Sequence, residues 1–288
     1  MKIKTAISII IIFTCTTVFG QTECQTTVDY GNNPIGQYAQ VNGIKMYYET
    51  YGDSTKQPLL LIHGNGGSIN AGRCQIEYFK ETFYVIAADS RFQGKSEFGK
   101  EKLTPDLLAK DYSLLLDHLM LDSVSILGQS DGGIVGLILA MNYPSKVKNL
   151  VSIAPNLRPD SSAVHQWVVD HVAQELKDVE TAIGKGDSTR ETIKKRELMR
   201  LLVKFPNIKN EDLMNIKAPV LVIAGDEDAI RLEHILEIYQ SIPKAQLFIM
   251  PGATHFMIRS EHELLNQMAN RFLSNPFKRP TTLGELTK

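Results

Sequence analysis

The amino-acid sequence predicts an α/β fold with a mostly parallel sheet of eight strands and helices on both faces. Short apolar runs alternate with helical segments along most of the chain. These runs are continuously apolar, which is typical of parallel strands buried on both faces. Several of them end in glycine or a polar residue, as strands do where they approach a ligand site. The predicted strands are a hairpin over 37–52 and six single strands near 59–64, 84–89, 124–129, 148–154, 219–225 and 246–250.

The clearest local pattern is the run GQSDGG over residues 128–133, directly after the apolar run 124–127. A strand that ends in G-x-S-x-G and opens into a helix is typical of a nucleophile elbow. The turn is so tight that only glycine fits at positions 128 and 132. The residues that follow are almost all apolar, which indicates a buried helix, and Pro144 ends it. We therefore predict that Ser130 is a nucleophile.

Partners for this serine follow two later strands. An unassisted hydroxyl is a weak nucleophile at neutral pH, so it needs a base and a group that orients the base. Asp226 and Asp228 come directly after the strand near 219–225, and His255 follows the strand near 246–250. The carboxyl ends of parallel strands meet at one edge of a sheet, where ligands bind. The order Ser, Asp, His is the one expected for this type of elbow.

A glycine-rich loop, HGNGGS over residues 63–68, follows the strand near 59–64. Acyl transfer builds negative charge on a carbonyl oxygen, and preorganised N–H donors stabilise that charge. Gly64 and Gly66 let the backbone turn so that amides face a pocket. We expect His63 to form hydrogen bonds within the loop rather than to take part in catalysis.

Together these motifs resemble those of the α/β-hydrolase superfamily, and the resemblance spans roughly residues 40–275. It implies that Ser130 is the nucleophile, His255 the general base and acid, and Asp228 the orienting carboxylate. Asp226 is the alternative for this third role. Asp228 is preferred because members of the superfamily usually place the acid three residues after the glycine that ends the strand, here Gly225.

The resemblance also implies the groups that bind the oxyanion. One donor would be the backbone amide of Asp131, after the nucleophile, and the other the amide of Asn65, between Gly64 and Gly66. The segment 89–96 resembles the D-x-x-G-x-G-x-S turn of the superfamily, with one glycine missing, and we expect it to be structural. The SDGG form of the elbow is similar to that of small esterases that include valacyclovir-hydrolase-like proteins.

The Asp131 side chain has two interpretations. It can point away from the oxyanion or cap the start of the helix, where the helix dipole favours negative charge. Alternatively, it lines the pocket and pairs with a cationic group of the substrate, such as an amine.

Residues 157–213 interrupt the alternation of strands and helices, and they predict a helical cap inserted into a core formed by residues 21–156 and 214–288. In the superfamily such a cap covers the pocket. Trp167, the only tryptophan, can form the pocket roof or pack the cap against the core.

The N-terminus has the charged, apolar and small-residue order of a secretory signal peptide over residues 1–20, with cleavage near Gly20. We therefore expect export to the periplasm or the extracellular space, without stable membrane insertion; an uncleaved amino-terminal anchor is the alternative. Export would leave Cys24 and Cys74, which either form a disulfide or remain two unrelated thiols.

Composition and chemistry together predict an exported serine hydrolase that acts on small carboxylic esters. At 288 residues with 43% hydrophobic content, the chain can bury one α/β core. A net charge of −1 argues against nucleic acid as a partner. A serine nucleophile forms acyl-enzymes, so opening of carbon–halogen bonds or epoxides is not expected. No cofactor or metal is implied. The alternatives are an amide or carbon–carbon bond hydrolase with the same triad, and a non-enzymatic binding protein of this fold.

Overall fold

A computed structural model describes residue 24 and residues 26–286 of the chain. Eight strands form one sheet with the order β1-β2-β4-β3-β5-β6-β7-β8. The first two pairs, β1 with β2 and β2 with β4, are antiparallel, and all other pairs are parallel. The strands are β1 (Gln37–Val41), β2 (Ile44–Tyr51), β3 (Pro58–Ile62), β4 (Tyr84–Ala88), β5 (Val124–Gln129), β6 (Val147–Ile153), β7 (Val220–Glu227) and β8 (Ala245–Thr254).

Within the described residues, ten α-helices accompany these strands. They are α1 (Arg73–Phe79), α2 (Pro105–His118), α3 (Asp131–Asn142), α4 (Gln166–Gly184), α5 (Arg190–Lys204), α6 (Asn210–Leu213), α7 (Leu232–Ser241), α8 (Met257–Ser260), α9 (His262–Ser274) and α10 (Thr282–Leu286). Helix α9 contacts both α1 and α8. A second group of helices contains α2, α3, α6 and α7, in which α2 contacts α3, α3 contacts α6 and α6 contacts α7. This sheet between helices confirms the predicted fold class, because both hairpin strands and all six single strands are present.

Two strands are longer than the sequence predicts, and both carry site residues at their ends. The pairing of β7 with β8 continues past an irregularity between Gly225 and Glu227 until Glu227 lies opposite Thr254. Strand β8 continues through Pro251, which has no backbone N–H. Because β8 is an edge strand, no strand on its outer side requires a hydrogen bond from this residue. The extension brings the residues after each strand close together.

Helices α4 and α5, between β6 and β7, pack against each other. The segment before α4 is joined to the loop after β7, because Val164 forms a bridge with Ile230 and the His165 N–H donates to the Ala229 carbonyl at 3.0 Å. Trp167, in the first turn of α4, is 66% exposed. The interpretation of Trp167 as a packing residue between cap and core is therefore wrong, and its role in a pocket roof stays a prediction, as do the boundaries 157–213.

The predicted signal peptide over residues 1–20, with its cleavage near Gly20, lies outside the described residues. Among the described residues, no helix has the length and apolar character to cross a bilayer. Cys24 and Cys74 are both free thiols. Burial, with a hydrogen bond to the Cys24 thiol, raises the pKa of Cys74 to about 12. The two thiols are neighbours, and they are not joined by a disulfide in the structure.

A buried ion pair anchors the segment after β4 to α2. The Arg91 side chain is 1% exposed and donates twice to Asp111, from Nε to Oδ2 and from Nη2 to Oδ1, both at 2.8 Å. The same guanidinium donates to the Asn42 carbonyl, and Asn42 Nδ2 donates to Asp111. The charges and hydrogen-bonding groups of this pair are thus matched without water, which offsets much of the cost of their burial.

We expect Arg91→Leu to lower the free energy of unfolding by about 3–5 kcal/mol, because it leaves the Asp111 charge buried without a cationic partner. The double variant Arg91→Leu/Asp111→Leu should regain part of this loss, since no isolated charge remains. Urea denaturation of the three proteins measures both effects. A single variant as stable as the wild type would contradict the structural role of the pair.

Candidate active site

The turn between β5 and α3 has the geometry of a nucleophile elbow. Ser130 has φ 54° and ψ −120°, a region that side chains with a Cβ adopt at a cost. A Cβ at position 128 would lie 2.2 Å from the Gly132 carbonyl oxygen, and one at position 132 would lie 2.1 Å from that of Ile62. Both positions therefore require glycine. The turn holds the half-buried Ser130 hydroxyl at the carboxyl end of the sheet.

Ser130, His255 and Asp228 form one chain of hydrogen bonds. His255 Nε2 lies 3.0 Å from Ser130 Oγ, and His255 Nδ1 lies 2.7 Å from Asp228 Oδ1. The imidazole is 19% exposed, while the Asp228 side chain has no exposed surface. A base that can take the serine proton is thus reachable by a ligand, and the carboxylate that orients it is shielded from water.

The geometry distinguishes the two candidate carboxylates. Asp226 is exposed, whereas Asp228 is buried. Asp228 Oδ1 also accepts the Ile230 N–H at 3.0 Å, and its Oδ2 accepts the Gly225 N–H at 3.5 Å. Because three donors surround the Asp228 carboxylate, its orientation toward His255 is fixed. The structure therefore brings Asp228, and not Asp226, into contact with the histidine.

The loop after β3 lies against the elbow. A Cβ at position 64 would lie 3.2 Å from Ser130 Cβ, so Gly64 allows this loop to approach the nucleophile closely. Gly66 has φ +70°, which glycine adopts without strain. In the part of the chain that the structure describes, neither the Asn65 nor the Asp131 backbone N–H donates to another protein group. Both N–H groups are thus available to an oxyanion, and that role stays a prediction.

The side chains of these two residues are joined to each other and to α5. Asn65 Nδ2 donates to Asp131 Oδ2 at 2.9 Å and to the Leu198 carbonyl at 3.3 Å. Asp131 is 8% exposed, and burial raises the pKa of its carboxyl group, opposed by the Asn65 hydrogen bond and by His255. The carboxylate therefore points across to the glycine-rich loop, where its bond to Asn65 couples this loop to the elbow.

His63 has the structural role that the sequence predicts. Its Nδ1 lies 2.8 Å from the Gly64 carbonyl, and its Nε2 accepts the Ser90 N–H at 3.0 Å. These partners require a neutral imidazole, and burial lowers the pKa of His63 accordingly. Asp89 begins the neighbouring turn and accepts backbone N–H groups from Ile69 and Lys95 at 2.8 and 2.7 Å. The segment 89–96 is thus hydrogen-bonded to both ends of the glycine-rich loop, through His63 and Ile69.

Two contacts at the site have no signal in the sequence. Gln129 Nε2 donates to the backbone carbonyl of His255 at 3.1 Å, and the Leu198 carbonyl accepts from Asn65. Both join residues far apart in the chain, and the motifs that contain Gln129 and Asn65 do not predict which distant carbonyl each side chain contacts.

The comparisons with known proteins agree with this geometry. The family profile for the alpha/beta hydrolase fold matches residues 57–190. The chain is 27% identical over 256 residues to the Homo sapiens protein "Serine hydrolase BPHL", covering 85% of this chain and 88% of that protein. It is 27% identical over 270 residues to "Putative carbamate hydrolase RutD" of Caulobacter sp., with coverages of 83% and 98%.

Among solved structures, an enol-lactonase from Burkholderia xenovorans LB400 superposes with a TM-score of 0.70 at 20% identity. The alignment covers 83% of this chain and 100% of the lactonase. At this identity the likeness concerns the fold alone. The fold, the family profile over residues 57–190 and the relatives agree: the chain has the α/β-hydrolase fold, and the proteins to which it is similar are hydrolases.

Proposed function

We propose that this protein is an exported serine hydrolase that cleaves small carboxylic esters through an acyl-enzyme on Ser130. The observation that carries this proposal is the chain of hydrogen bonds from Asp228 through His255 to Ser130, at 2.7 and 3.0 Å. The names of the relatives, a serine hydrolase and a putative carbamate hydrolase, are consistent with acyl chemistry. Export rests on the pattern of residues 1–20 alone.

Acylation follows from the arrangement of these groups. Ser130 Oγ attacks the ester carbonyl while its proton passes to His255 Nε2. The carbonyl oxygen becomes an oxyanion, which the backbone N–H groups of Asn65 and Asp131 stabilise. Asp228 stabilises the imidazolium that forms. When the tetrahedral intermediate collapses, the carbon–oxygen bond to the alcohol breaks, and His255 returns the proton to the departing alkoxide.

Deacylation repeats the same steps with water. His255 Nε2 takes a proton from water as the water oxygen attacks the acyl carbonyl on Ser130. Collapse of the second intermediate breaks the bond to Oγ, and the proton returns to the serine while the carboxylic acid leaves. Esters are the preferred substrate class because an alkoxide leaves more readily than an amide nitrogen. Amide or carbon–carbon bond cleavage remains the alternative for the same residues.

Turnover of p-nitrophenyl acetate and butyrate by residues 21–288 tests this function. We expect the wild-type protein to hydrolyse both esters and Ser130→Ala to lose at least about 10⁴-fold in kcat, because no other hydroxyl replaces the nucleophile. Circular dichroism shows whether the variant retains its fold. A folded variant with wild-type turnover would contradict the proposal, and a folded wild type that cleaves only dienoates or diketones would favour carbon–carbon chemistry.

The two neighbouring aspartates provide a matched pair for the orienting role. We expect Asp228→Asn to lower kcat by about 10⁴-fold, because an amide oriented toward His255 Nδ1 selects the wrong tautomer or position. Asp226→Asn removes the same charge two residues away at an exposed position, and kcat should stay within about twofold of the wild type. Steady-state kinetics on p-nitrophenyl butyrate measures both. Equal losses in the two variants would exclude Asp228 from this role.

The buried carboxylate of Asp131 supports a narrower substrate class, namely esters that carry an amine. A carboxylate whose pKa is raised by burial gains stability when a cation enters its site, because the cation compensates for the lost hydration. Among the described residues, the side-chain donor to this carboxylate is Asn65, which leaves carboxylate lone pairs for an ammonium group. The alternative function of Asp131 at the start of α3 does not require this preference.

We expect the wild-type protein to favour the p-nitrophenyl ester of L-alanine over that of propionate by about tenfold or more in kcat/KM, because the two acyl groups differ only in the amine. Asp131→Asn keeps the backbone N–H and the shape of the side chain, so it should lower this ratio toward one with little effect on propionate. A ratio that is the same in both proteins would exclude the amine interaction.

A further inference from the structure

No direct strand pairing joins the nucleophile to the base. Ser130 follows β5 and His255 follows β8, and both β6 and β7 lie between these strands. No ladder hydrogen bond therefore joins the strand before the serine to the strand before the histidine. The 3.0 Å separation of Ser130 Oγ and His255 Nε2 therefore depends also on contacts made outside the ladder.

One such contact comes from the residue next to the nucleophile. Gln129 is the last residue of β5 and is 9% exposed. Its Nε2 donates to the backbone carbonyl of His255 at 3.1 Å. The backbone carbonyl of His255 is thus hydrogen-bonded to Gln129, the residue directly before Ser130. This contact links the backbone positions of the nucleophile and the base.

The segment from His255 to Ile258 is also bound by a buried amide at its second end. Gln75 of α1 is fully buried, and its Nε2 donates to the Ile258 carbonyl at 3.0 Å and to Asn266 Oδ1 at 3.1 Å. Asn266 in turn donates from Nδ2 to the Cys74 carbonyl at 3.2 Å. The segment from His255 to Ile258 is therefore bound by a buried amide at each end, and Gln129 holds the end that bears the imidazole.

We propose that Gln129 is a positioning residue for acyl transfer: by holding the His255 carbonyl, it keeps Nε2 within hydrogen-bonding distance of Ser130 Oγ. The inference rests on the proposed function, since it concerns the same pair of residues. Asp228 holds the imidazole through Nδ1, and the β7–β8 pairing holds the backbone up to Thr254. Gln129 adds the restraint on the His255 peptide itself, and a displacement of about 1 Å can cost about 100-fold in rate.

The test compares Gln129→Met with Gln246→Met. Methionine keeps the length and volume of glutamine and removes the N–H donor. Gln246 provides a matched control because it stands on β8 and its Nε2 donates to a backbone carbonyl, that of Lys278, at 2.8 Å, at the other end of the strand. Kinetics on p-nitrophenyl butyrate and the rate of inactivation by a fluorophosphonate are measured for both variants and the wild type.

We expect Gln129→Met to lower kcat and the inactivation rate by about 10- to 100-fold with KM within about threefold, since the groups that bind the substrate are unchanged. Gln246→Met should match the wild type in both. Gln129→His, which restores an N–H donor, should recover most of the loss. A folded Gln129→Met with wild-type kcat, or an equal loss in Gln246→Met, would overturn the inference.

Two further measurements apply if Gln129→Met does not fold or if the wild type is inactive. If Gln129→Met does not fold, a folded Gln129→His with kcat within about threefold of the wild type supports the inference, and a loss above about tenfold overturns it. If the wild type neither cleaves esters nor reacts with the fluorophosphonate, the proposed function fails. The low-field proton resonance of His255 Nδ1 then decides: a resonance changed in Gln129→Met and not in Gln246→Met supports the positioning contact, and an unchanged one overturns it.

Discussion

The close approach of α3 to the ends of β3 and β5 is the constraint on which the site depends. There is no room for a side chain at Gly128 or Gly132, where an added Cβ would lie 2.2 or 2.1 Å from a backbone oxygen. This approach forces Ser130 to φ 54° and places the first N–H groups of α3 beside the glycine-rich loop. Ser130 and the N–H groups that we propose as oxyanion donors thus come from one local packing arrangement, and the packing of the buried helix that follows offsets the strain at the serine.

The two buried carboxylates near Ser130 differ in the hydrogen-bond donors that surround them. Asp228 is surrounded by donors from His255, Ile230 and Gly225, which suits a charge that must persist while the imidazole becomes protonated. Asp131 has Asn65 as its donor, and burial raises its pKa. Because the Asn65 side chain also bonds to α5, the position of the helices between β6 and β7 is coupled to the loop that we propose as the source of an oxyanion donor.

The sequence predicts the parts of this site that depend on local structure. Ser130 and His255 are recognisable because each follows an apolar strand, and their chemistry requires that position. The choice between Asp228 and Asp226 needed the superfamily pattern, because it is decided physically by the extension of β7 beyond Gly225, which the apolar run does not show. The Gln129 contact lies beyond prediction, since it joins residues 126 positions apart through a side chain and a carbonyl. The exposure of Trp167 was not expected from the sequence, because both interpretations placed this large apolar side chain against other residues of the cap, pocket or core.

The central claim is that Ser130 is activated as a nucleophile by His255. Peptide mapping by mass spectrometry, after reaction of the native protein with a fluorophosphonate, tests it most directly because the phosphonyl adduct does not turn over. We expect one modified peptide, containing residues 128–133 with the adduct on Ser130, and no modification after prior denaturation. A folded protein that remains unmodified, or that carries the adduct at another residue, would contradict it.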